Sequence, residues 1–328
     1  MVKVAVTDHE YDKAADFFAR AAQEGIECVR VPADEPALAE AIARCGATDV
    51  VVGVASYTGP LYEALPAGGV VARFGVGHDG IHMDRATARG LLCTNTPGVL
   101  DDSVAEHAIA IMLIAARKLH RLTPAAGPWP TEVGNELKGK TLAVIGCGGI
   151  GRRVARIAAG GFSMRVIGCD IADVEVSDLS GQFGFALLTR NFAEAVDGAH
   201  FVTLHIPATP ATYHFINAQR VALLAPHAWL INTARGALVD EAALFDALTT
   251  GRLGGAALDV FEREPYEPVQ PDKDLRRLEN AILTPHVGSS TREACDRMAE
   301  RVLYNIRLAH EKRFEEMDLL NPQVCRGT

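Results

Sequence analysis

The chain has 328 residues, 48% of them apolar, and a formal net charge of −9. That length suits about two domains with sizeable cores. The acidic balance, without any basic block, argues against nucleic acid or an anionic membrane as a principal partner. The richest apolar stretch, Ile109–Ala116, is too short to span a bilayer, and the N-terminus opens at once on the strand-like VKVAVTD with no leader pattern. Seven scattered cysteines without a C-x-x-C read as reduced thiols of a cytoplasmic protein, so neither a disulfide frame nor a metal site is expected.

Short apolar runs alternate with helical patterns from end to end, an α/β reading with parallel sheets. The first third predicts strands at Val2–Val6, Cys28–Val31, Val50–Val52, Val70–Phe74 and Leu91–Cys93, with helices such as Lys13–Glu24 and Glu35–Cys45 between them. A long apolar helix, Asp101–Leu122, follows, with Asp101, Asp102 and Ser103 at its start, where side-chain oxygens and negative charge are favourable. The Pro- and Gly-containing Thr123–Gly134 reads as a connecting loop. Later strands are expected at Leu142–Ile145, Met164–Cys169, Phe201–His205, Ala228–Asn232, Ala256–Val260 and Ala281–Thr284, and the amphipathic Arg292–Lys312 as the last helix.

The most specific motif is LAVIGCGGIG at 142–151. Gly146, Gly148 and Gly151 stand at G-x-G-x-x-G spacing after an apolar strand, with Gly149 and Ile150 inside the turn and a helical pattern, Arg152–Ala159, beyond it. The first glycine permits a tight turn, the second lets backbone approach a pyrophosphate, and the third lets helix pack on strand. The helix N-terminus offers free N–H groups to phosphate. Asp170, 19 residues past Gly151, ends the next apolar run and is placed to accept hydrogen bonds from ribose hydroxyls while repelling a 2′-phosphate. These features predict a dinucleotide site for NAD(H) rather than NADP(H). Because the unit begins near residue 140, another α/β domain precedes it. The roughly 40 residues past the last strand are too few for a core and should pack back on that first domain.

Three polar residues after strands could carry chemistry: Arg235 in INTARGALVD, Glu264 in ALDVFEREP and His286 in LTPHVGSST. Ligands of open α/β sheets bind beyond the carboxyl ends of strands. An arginine fork suits a carboxylate, a histidine suits a proton moved near neutral pH, and a carboxylate behind the imidazole fixes its tautomer. Together they are the parts needed to interconvert a 2-hydroxy acid and a 2-oxo acid by hydride transfer. Singly each has a blander reading, and Glu262 is the same residue type two positions from Glu264.

The blocks RFGVGHDGIHMD, ARGLLCTNTPGVLDDSVAEHAIAIML, ELKGKTLAVIGCGGIGRRVA, LHIPATPATYHFIN, LINTARGALVDEAAL, GAALDVFEREP and ENAILTPHVGSST run over nearly the whole chain. In that order they resemble the NAD-dependent D-2-hydroxyacid dehydrogenases. The resemblance implies two doubly wound domains, a Rossmann NAD-binding domain (100–289) inserted in a flavodoxin-like substrate domain (1–99 plus 290–328), closing on a cleft. It implies Arg235 as anchor of the substrate carboxylate, His286 as acid/base and Glu264 as its partner. Backbone at Val76 and Gly77 would hold the carboxylate, and Ser56 and Tyr57 would line the substrate side chain. Asp259 would meet the nicotinamide carboxamide, with His205, Ile206, Pro207, Thr212, Thr233 and Gly288 around the cofactor. It further implies a homodimer through the 101–134 region, with Trp129 a candidate to reach the neighbouring active site.

Some positions depart from the family pattern. Gly149 stands where relatives often carry arginine, His82 where aspartate is common and His78 where an aromatic is common; the two histidines read as structural. Formate dehydrogenase shares the fold but pairs its histidine with glutamine, and phosphite dehydrogenases place lysine near Val76. The alternatives left open are a 3-phosphoglycerate dehydrogenase and an NAD(H)-sensing binding protein like the C-terminal binding corepressors, which keep the same three residues.

Overall fold

The computed structural model describes residues 1–122, 132–172 and 181–326. They form two compact units, Met1–Leu100 with Ser289–Thr328, and Asp101–Gly288.

In the first unit five parallel strands, β1 (Val2–Thr7), β2 (Ile26–Val31), β3 (Asp49–Val52), β4 (Val70–Arg73) and β5 (Leu92–Thr94), lie in the order β2-β1-β3-β4-β5. This is the flavodoxin-like doubly wound order. Val50, Val51, Val52, Val70 and Val71 are fully buried because helices cover the sheet, which is why these strands read as unbroken apolar runs. Glu35–Cys45 starts where the Asp34 side chain accepts the Ala37 N–H, with Pro36 in the first turn, and ends at Gly46 in the left-handed region. The expected helix over 13–24 is divided into Asp8–Lys13, Ala15–Arg20 and a 3-10 turn, Ala21–Glu24. Ala14 leaves helical angles between the first two pieces, and Tyr11 stacks on Phe18 across the break at 5.7 Å.

The C-terminal stretch belongs to this unit through the helix Arg292–His310 and the segment beyond it. Asn321 is completely buried there: its Oδ1 accepts the Cys93 N–H at 2.9 Å, and its Nδ2 donates to Leu91 O and Thr87 Oγ1. One side chain thus supplies hydrogen bonds to the edge of β5 that no neighbouring strand provides.

In the second unit seven parallel strands, β6 (Thr141–Ile145), β7 (Arg165–Cys169), β8 (Phe185–Thr189), β9 (Phe201–Leu204), β10 (Trp229–Asn232), β11 (Gly255–Leu258) and β12 (Ala281–Leu283), run in the order β12-β11-β10-β9-β6-β7-β8. The chain builds outward from β6 to β8, then returns to β9 on the other side of β6. This reversal opens a crevice at the carboxyl ends of β6 and β9. The helix Asp101–Arg117 packs Ala105, Ile109 and Met112 with Leu142, Val144 and Ile231, while Leu230, Leu244 and Leu258 help fill the core on the opposite face.

Two further differences from the sequence reading lie in the second unit. The helix from Asp101 ends at Arg117, not Leu122, because Lys118 turns to φ 53° and a 3-10 turn follows. The strand β8 was not foreseen: it is an edge strand whose residues after Phe185 are partly exposed, so it lacks a buried apolar run. Trp129, in the connecting loop, lies outside the described residues.

Asn321→Ala should destabilise the first unit by about 2–4 kcal/mol, since it strands buried backbone groups as well as losing bonds. Urea unfolding checks this. An unchanged midpoint would show that water replaces the amide at no cost.

Candidate active site

The glycine turn follows β6. Gly146 has φ +96°, and a Cβ there would lie 2.5 Å from the His205 carbonyl oxygen, so the turn and the end of β9 touch backbone to backbone. A Cβ at Gly151 would lie 2.0 Å from Gly146 O, which fixes the close approach of helix Gly149–Phe162 to the strand. Gly148 meets nothing within 4 Å. No side chain caps this 14-residue helix, so its first-turn amides keep their donors for an anion. An open, uncapped cradle at a switch point fits a dinucleotide pyrophosphate.

Asp170 ends β7 and is half-buried. Its Oδ2 accepts the Cys147 N–H at 2.7 Å and its Oδ1 the Ala172 N–H at 3.0 Å. It therefore braces the glycine turn, and each oxygen retains acceptor capacity for a hydroxyl. The missing side chain at Gly149 has a local reason: a Cβ there would lie 2.3 Å from Asp101 Oδ2, which accepts from Arg153 Nη1 at 2.9 Å.

Past β9, the Thr212 hydroxyl closes the Pro207–Thr212 turn by donating to Pro207 O at 2.7 Å and accepting the Thr209 N–H. Ile206 is partly buried and Pro207 exposed. The His205 Nε2 is 2.9 Å from Thr203 Oγ1, while Nδ1 is sealed from solvent without a partner. The residue keeps some surface, but the environment of its nitrogens decides its titration: burial pushes its pKa down to about 3. At neutral pH it is an uncharged imidazole. The Thr233 hydroxyl, after β10, is likewise buried without a partner.

The strands β10, β11 and β12 are neighbours, and Arg235, Glu264 and His286 follow their carboxyl ends. Buried Asn232 shapes the arginine loop, donating to Arg235 O at 2.8 Å and accepting the Ala234 N–H at 3.0 Å. A Cβ at Gly236 would lie 1.9 Å from Phe261 C and O, so the backbone of the Arg235 loop is pressed on that of the Glu264 loop. The His286 Nδ1 meets Glu264 Oε2 at 2.6 Å, with both side chains about a quarter exposed. Glu264 Oε1 accepts the Phe261 N–H at 3.0 Å, so the carboxylate is itself held. The choice that spacing left open between Glu262 and Glu264 is decided: Glu264 takes His286, while Glu262 takes His214 and the Glu241 amide.

His286 has φ +51°, a left-handed conformation that a non-glycine residue adopts only where its surroundings impose it. Asp259 imposes it. Its carbonyl accepts the His286 N–H, and its carboxylate accepts the amides of Val287 and Gly288 at 2.9 and 2.8 Å and the Thr284 hydroxyl at 2.6 Å. His107 Nε2 lies 3.3 Å from Asp259 Oδ1 and 3.1 Å from Thr284 Oγ1. Burial alone would push the Asp259 carboxyl up; the donors outweigh it and hold it below the usual range. Sequence reasoning missed His107, Thr284 and Asn232. Their signal lies only in contacts between strand ends.

In the first unit, Val76 and Gly77 are half-buried, and Asn95 Nδ2 donates to Val76 O at 2.7 Å. Ser56 is exposed. Tyr57 corrects an expectation: it is 1% exposed and packs in the core with Leu38, Leu61 and Tyr62, where apolar contact outweighs presenting its face to a ligand. His82 is structural, its Nδ1 accepting the Arg85 N–H at the start of a helix.

Comparison with known proteins agrees with this chemistry. The profile of the D-isomer specific 2-hydroxyacid dehydrogenase NAD binding domain matches residues 109–288, more than half of the chain. The glyoxylate reductase of Thermococcus litoralis is 38% identical over 279 residues, 82% of this chain and 81% of that one. The D-3-phosphoglycerate dehydrogenase of Methanocaldococcus jannaschii is 42% identical over 230 residues, 69% of this chain but 42% of that protein. The NADPH-dependent glyoxylate/hydroxypyruvate reductase of Sinorhizobium meliloti, solved with NADP and malonate, superposes with a TM-score of 0.76 at 30% identity, covering 94% and 93% of the two chains. The chain belongs to the D-isomer specific 2-hydroxyacid dehydrogenases. It is a nicotinamide-dependent oxidoreductase that interconverts a 2-hydroxy acid and a 2-oxo acid.

The buried His205 carries a pH signature. Its pKa near 3 lies below the ordinary 6.5, so folding expels a proton at acid pH. The stabilisation is complete above about pH 6.5 and is lost as pH falls toward 3. His205→Gln should flatten this part of the acid loss of stability, read by urea unfolding at pH 7 and pH 5. Parallel pH dependence in both proteins would remove His205 as the source.

Proposed function

We propose that the protein is an NAD(H)-preferring reductase of a small 2-oxo acid, glyoxylate or hydroxypyruvate, to the D-2-hydroxy acid. The observation that carries the reading is the 2.6 Å His286–Glu264 pair, which joins the loops after β12 and β11, beside the loop after β10 that bears Arg235. Likeness to the glyoxylate reductase extends over four-fifths of both chains, whereas likeness to the phosphoglycerate dehydrogenase covers less than half of that protein. This favours the smaller substrate.

Arg235 anchors the substrate carboxylate through its two-pronged fork and points the 2-oxo group at the imidazole. With Nδ1 engaged by Glu264, His286 presents Nε2 to the substrate oxygen. It gives that oxygen a proton in reduction and takes it back in oxidation. Glu264 holds the ring plane and fixes its tautomer. The bound nicotinamide supplies or accepts the hydride. Asp259, Gly288, Thr233 and the His205–Pro207 segment would hold it, and Asp170 would receive the adenosine ribose.

Asp170 is followed by Ile171, which is 91% exposed, and Ala172, neither able to grip a 2′-phosphate. This supports NAD(H), although the Sinorhizobium relative is NADPH-dependent. We assign a homodimer through the 101–134 region, where Leu119, Leu122 and Val133 are exposed apolar side chains, and a cytoplasmic location consistent with cysteines scattered without a C-x-x-C spacing. Sedimentation near the mass of a single chain would reject the dimer. Among the described residues no helix is long and apolar enough to cross a membrane.

The deciding experiment is oxidation of NADH and NADPH against glyoxylate, hydroxypyruvate, pyruvate, 3-phosphohydroxypyruvate and larger 2-oxo acids. Glyoxylate or hydroxypyruvate with NADH should have the highest kcat/KM. Silence across the panel with NADH still bound would instead favour the binding-protein alternative, and preference for NADPH would reject the argument from Asp170.

His286→Ala should mainly lower kcat, by roughly a hundredfold or more, as expected for loss of an acid/base. Glu264→Ala should also lower kcat, because the ring loses the partner that holds its orientation and tautomer. Unchanged turnover in either variant removes that residue from the mechanism.

A further inference from the structure

We propose that Glu262, braced by Glu241 and His214, is a positioning residue that sets the Glu264 carboxylate and the Arg235 loop for turnover. The inference rests on the reaction assigned above and extends it to three side chains with no role there.

Glu262 joins the loops that follow three adjacent strands. Its backbone N–H donates to Glu241 Oε1 at 2.7 Å, and the Glu241 N–H donates back to Glu262 Oε1 at 3.0 Å. Each carboxylate thus caps the other's backbone. Glu241 opens the helix Glu241–Thr249 behind its cap Asp240, so Glu262 also lies at the favourable end of a helix dipole. The other oxygen, Glu262 Oε2, is 3.0 Å from His214 Nε2. His214 comes from the loop after β9; it is held at φ +48°, donates its N–H to Ala237 O at 2.8 Å and stacks on Tyr213 at 4.0 Å.

The consequence for chemistry runs through two covalent neighbours. Phe261, next to Glu262, donates the N–H that holds Glu264 Oε1. The same Phe261–Glu262 backbone is the surface on which Gly236 rests, beside Arg235. A shift of Glu262 therefore reaches both the carboxylate behind the general acid and the substrate anchor. The arrangement is sustainable despite two facing carboxyls: Glu241 Oε2 is buried without a partner, and burial pushes the Glu241 carboxyl up to about 7 against the lowering effect of the Glu262 N–H it accepts. The pair need not carry two full charges near neutrality. Arg263 and Glu264 are the other charged groups felt at Glu241, and Asp240 lies 4.0 Å from His214 Nδ1. Because these contacts sit behind the reacting groups, their loss should slow turnover more than it weakens cofactor binding.

The test uses the full chain with NADH and the best 2-oxo acid of the panel. Glu262→Ala should lower kcat roughly ten- to a hundredfold while NADH affinity, read by fluorescence quenching, stays within about threefold, the pattern of sub-ångström misplacement. Glu262→Gln keeps an acceptor for the Glu241 N–H and should restore most of the loss. His214→Gln removes only one brace and should cost about three- to tenfold in kcat. Should Glu262→Ala fail to fold, His214→Gln decides: unchanged kcat there overturns the proposal, as does unchanged kcat in folded Glu262→Ala. Histidine-selective 15N NMR gives a readout independent of turnover. The His286 Nδ1–H tautomer imposed by Glu264 should be populated in the wild type and depleted in the variants. If the wild type reduces no 2-oxo acid, the assigned reaction fails, yet this signal still tests the positioning; an unchanged tautomer in the variants rejects it.

Discussion

The site depends on a single buried carboxylate. Asp259 is 1% exposed and ends the strand β11, where an ion would be costly without donors. Val287, Gly288, Thr284 and His107 supply those donors, and the Asp259 carbonyl takes the His286 amide as well. Meeting the hydrogen-bond demand of this one group folds the loop after β12 tightly enough to hold His286 in a left-handed conformation. The backbone of His286 is therefore fixed independently of its side chain. Glu264 then fixes the remaining freedom, the rotation and tautomer of the ring.

The parallel sheet explains why these groups meet at all. Every strand of the second unit runs in the same direction, so every loop that follows a strand emerges at the same edge. The glycine turn, Asp170, His205, Arg235, Asp259 and His286 are spread over more than 130 positions of sequence, yet each lies at or just past a carboxyl end. Glycines let these loops touch without intervening side chains, at Gly146 against His205 and at Gly236 against Phe261. Rigidity at this edge comes from carboxylates bonding backbone amides: Asp170 to Cys147, Glu262 to Glu241, Glu264 to Phe261 and Asp259 to Gly288. These bonds are short, local to the edge and largely removed from water, so they position groups more firmly than surface ion pairs do.

Much of the architecture was legible because burial leaves a pattern. Strands covered on both faces read as continuous apolar runs, and eleven of the twelve among the described residues were located within a few residues. The exception, β8, is half-exposed at a sheet edge and leaves no such trace. Helix ends were less legible where one residue departs from helical angles, as at Ala14 and Lys118, since either type would continue a helix in another context. The glycine motif was readable because Gly146 and Gly151 meet backbone that a side chain would strike, while Gly148 leaves the turn open. Tyr57 was misread as a ligand wall because its place after a strand suggested exposure, and only the surrounding apolar contacts show that it belongs to the core.

By itself, the sequence determined the class of fold, the dinucleotide cradle and the residue types needed for proton transfer and carboxylate binding. Each of these depends on local periodicity, glycine spacing or side-chain chemistry. Tertiary structure alone decided that Glu262 takes His214 and the Glu241 amide, that His107 and Thr284 support Asp259, and that Glu241, Glu262 and His214 tie three loops together. The reason is distance along the chain. Glu262 and Glu264 differ by two positions in an irregular loop, where no period of two or 3.6 assigns a face. Their partners arrive from strand ends 21 to 48 residues away. Which carboxylate meets which partner is settled only when the sheet order brings those ends together.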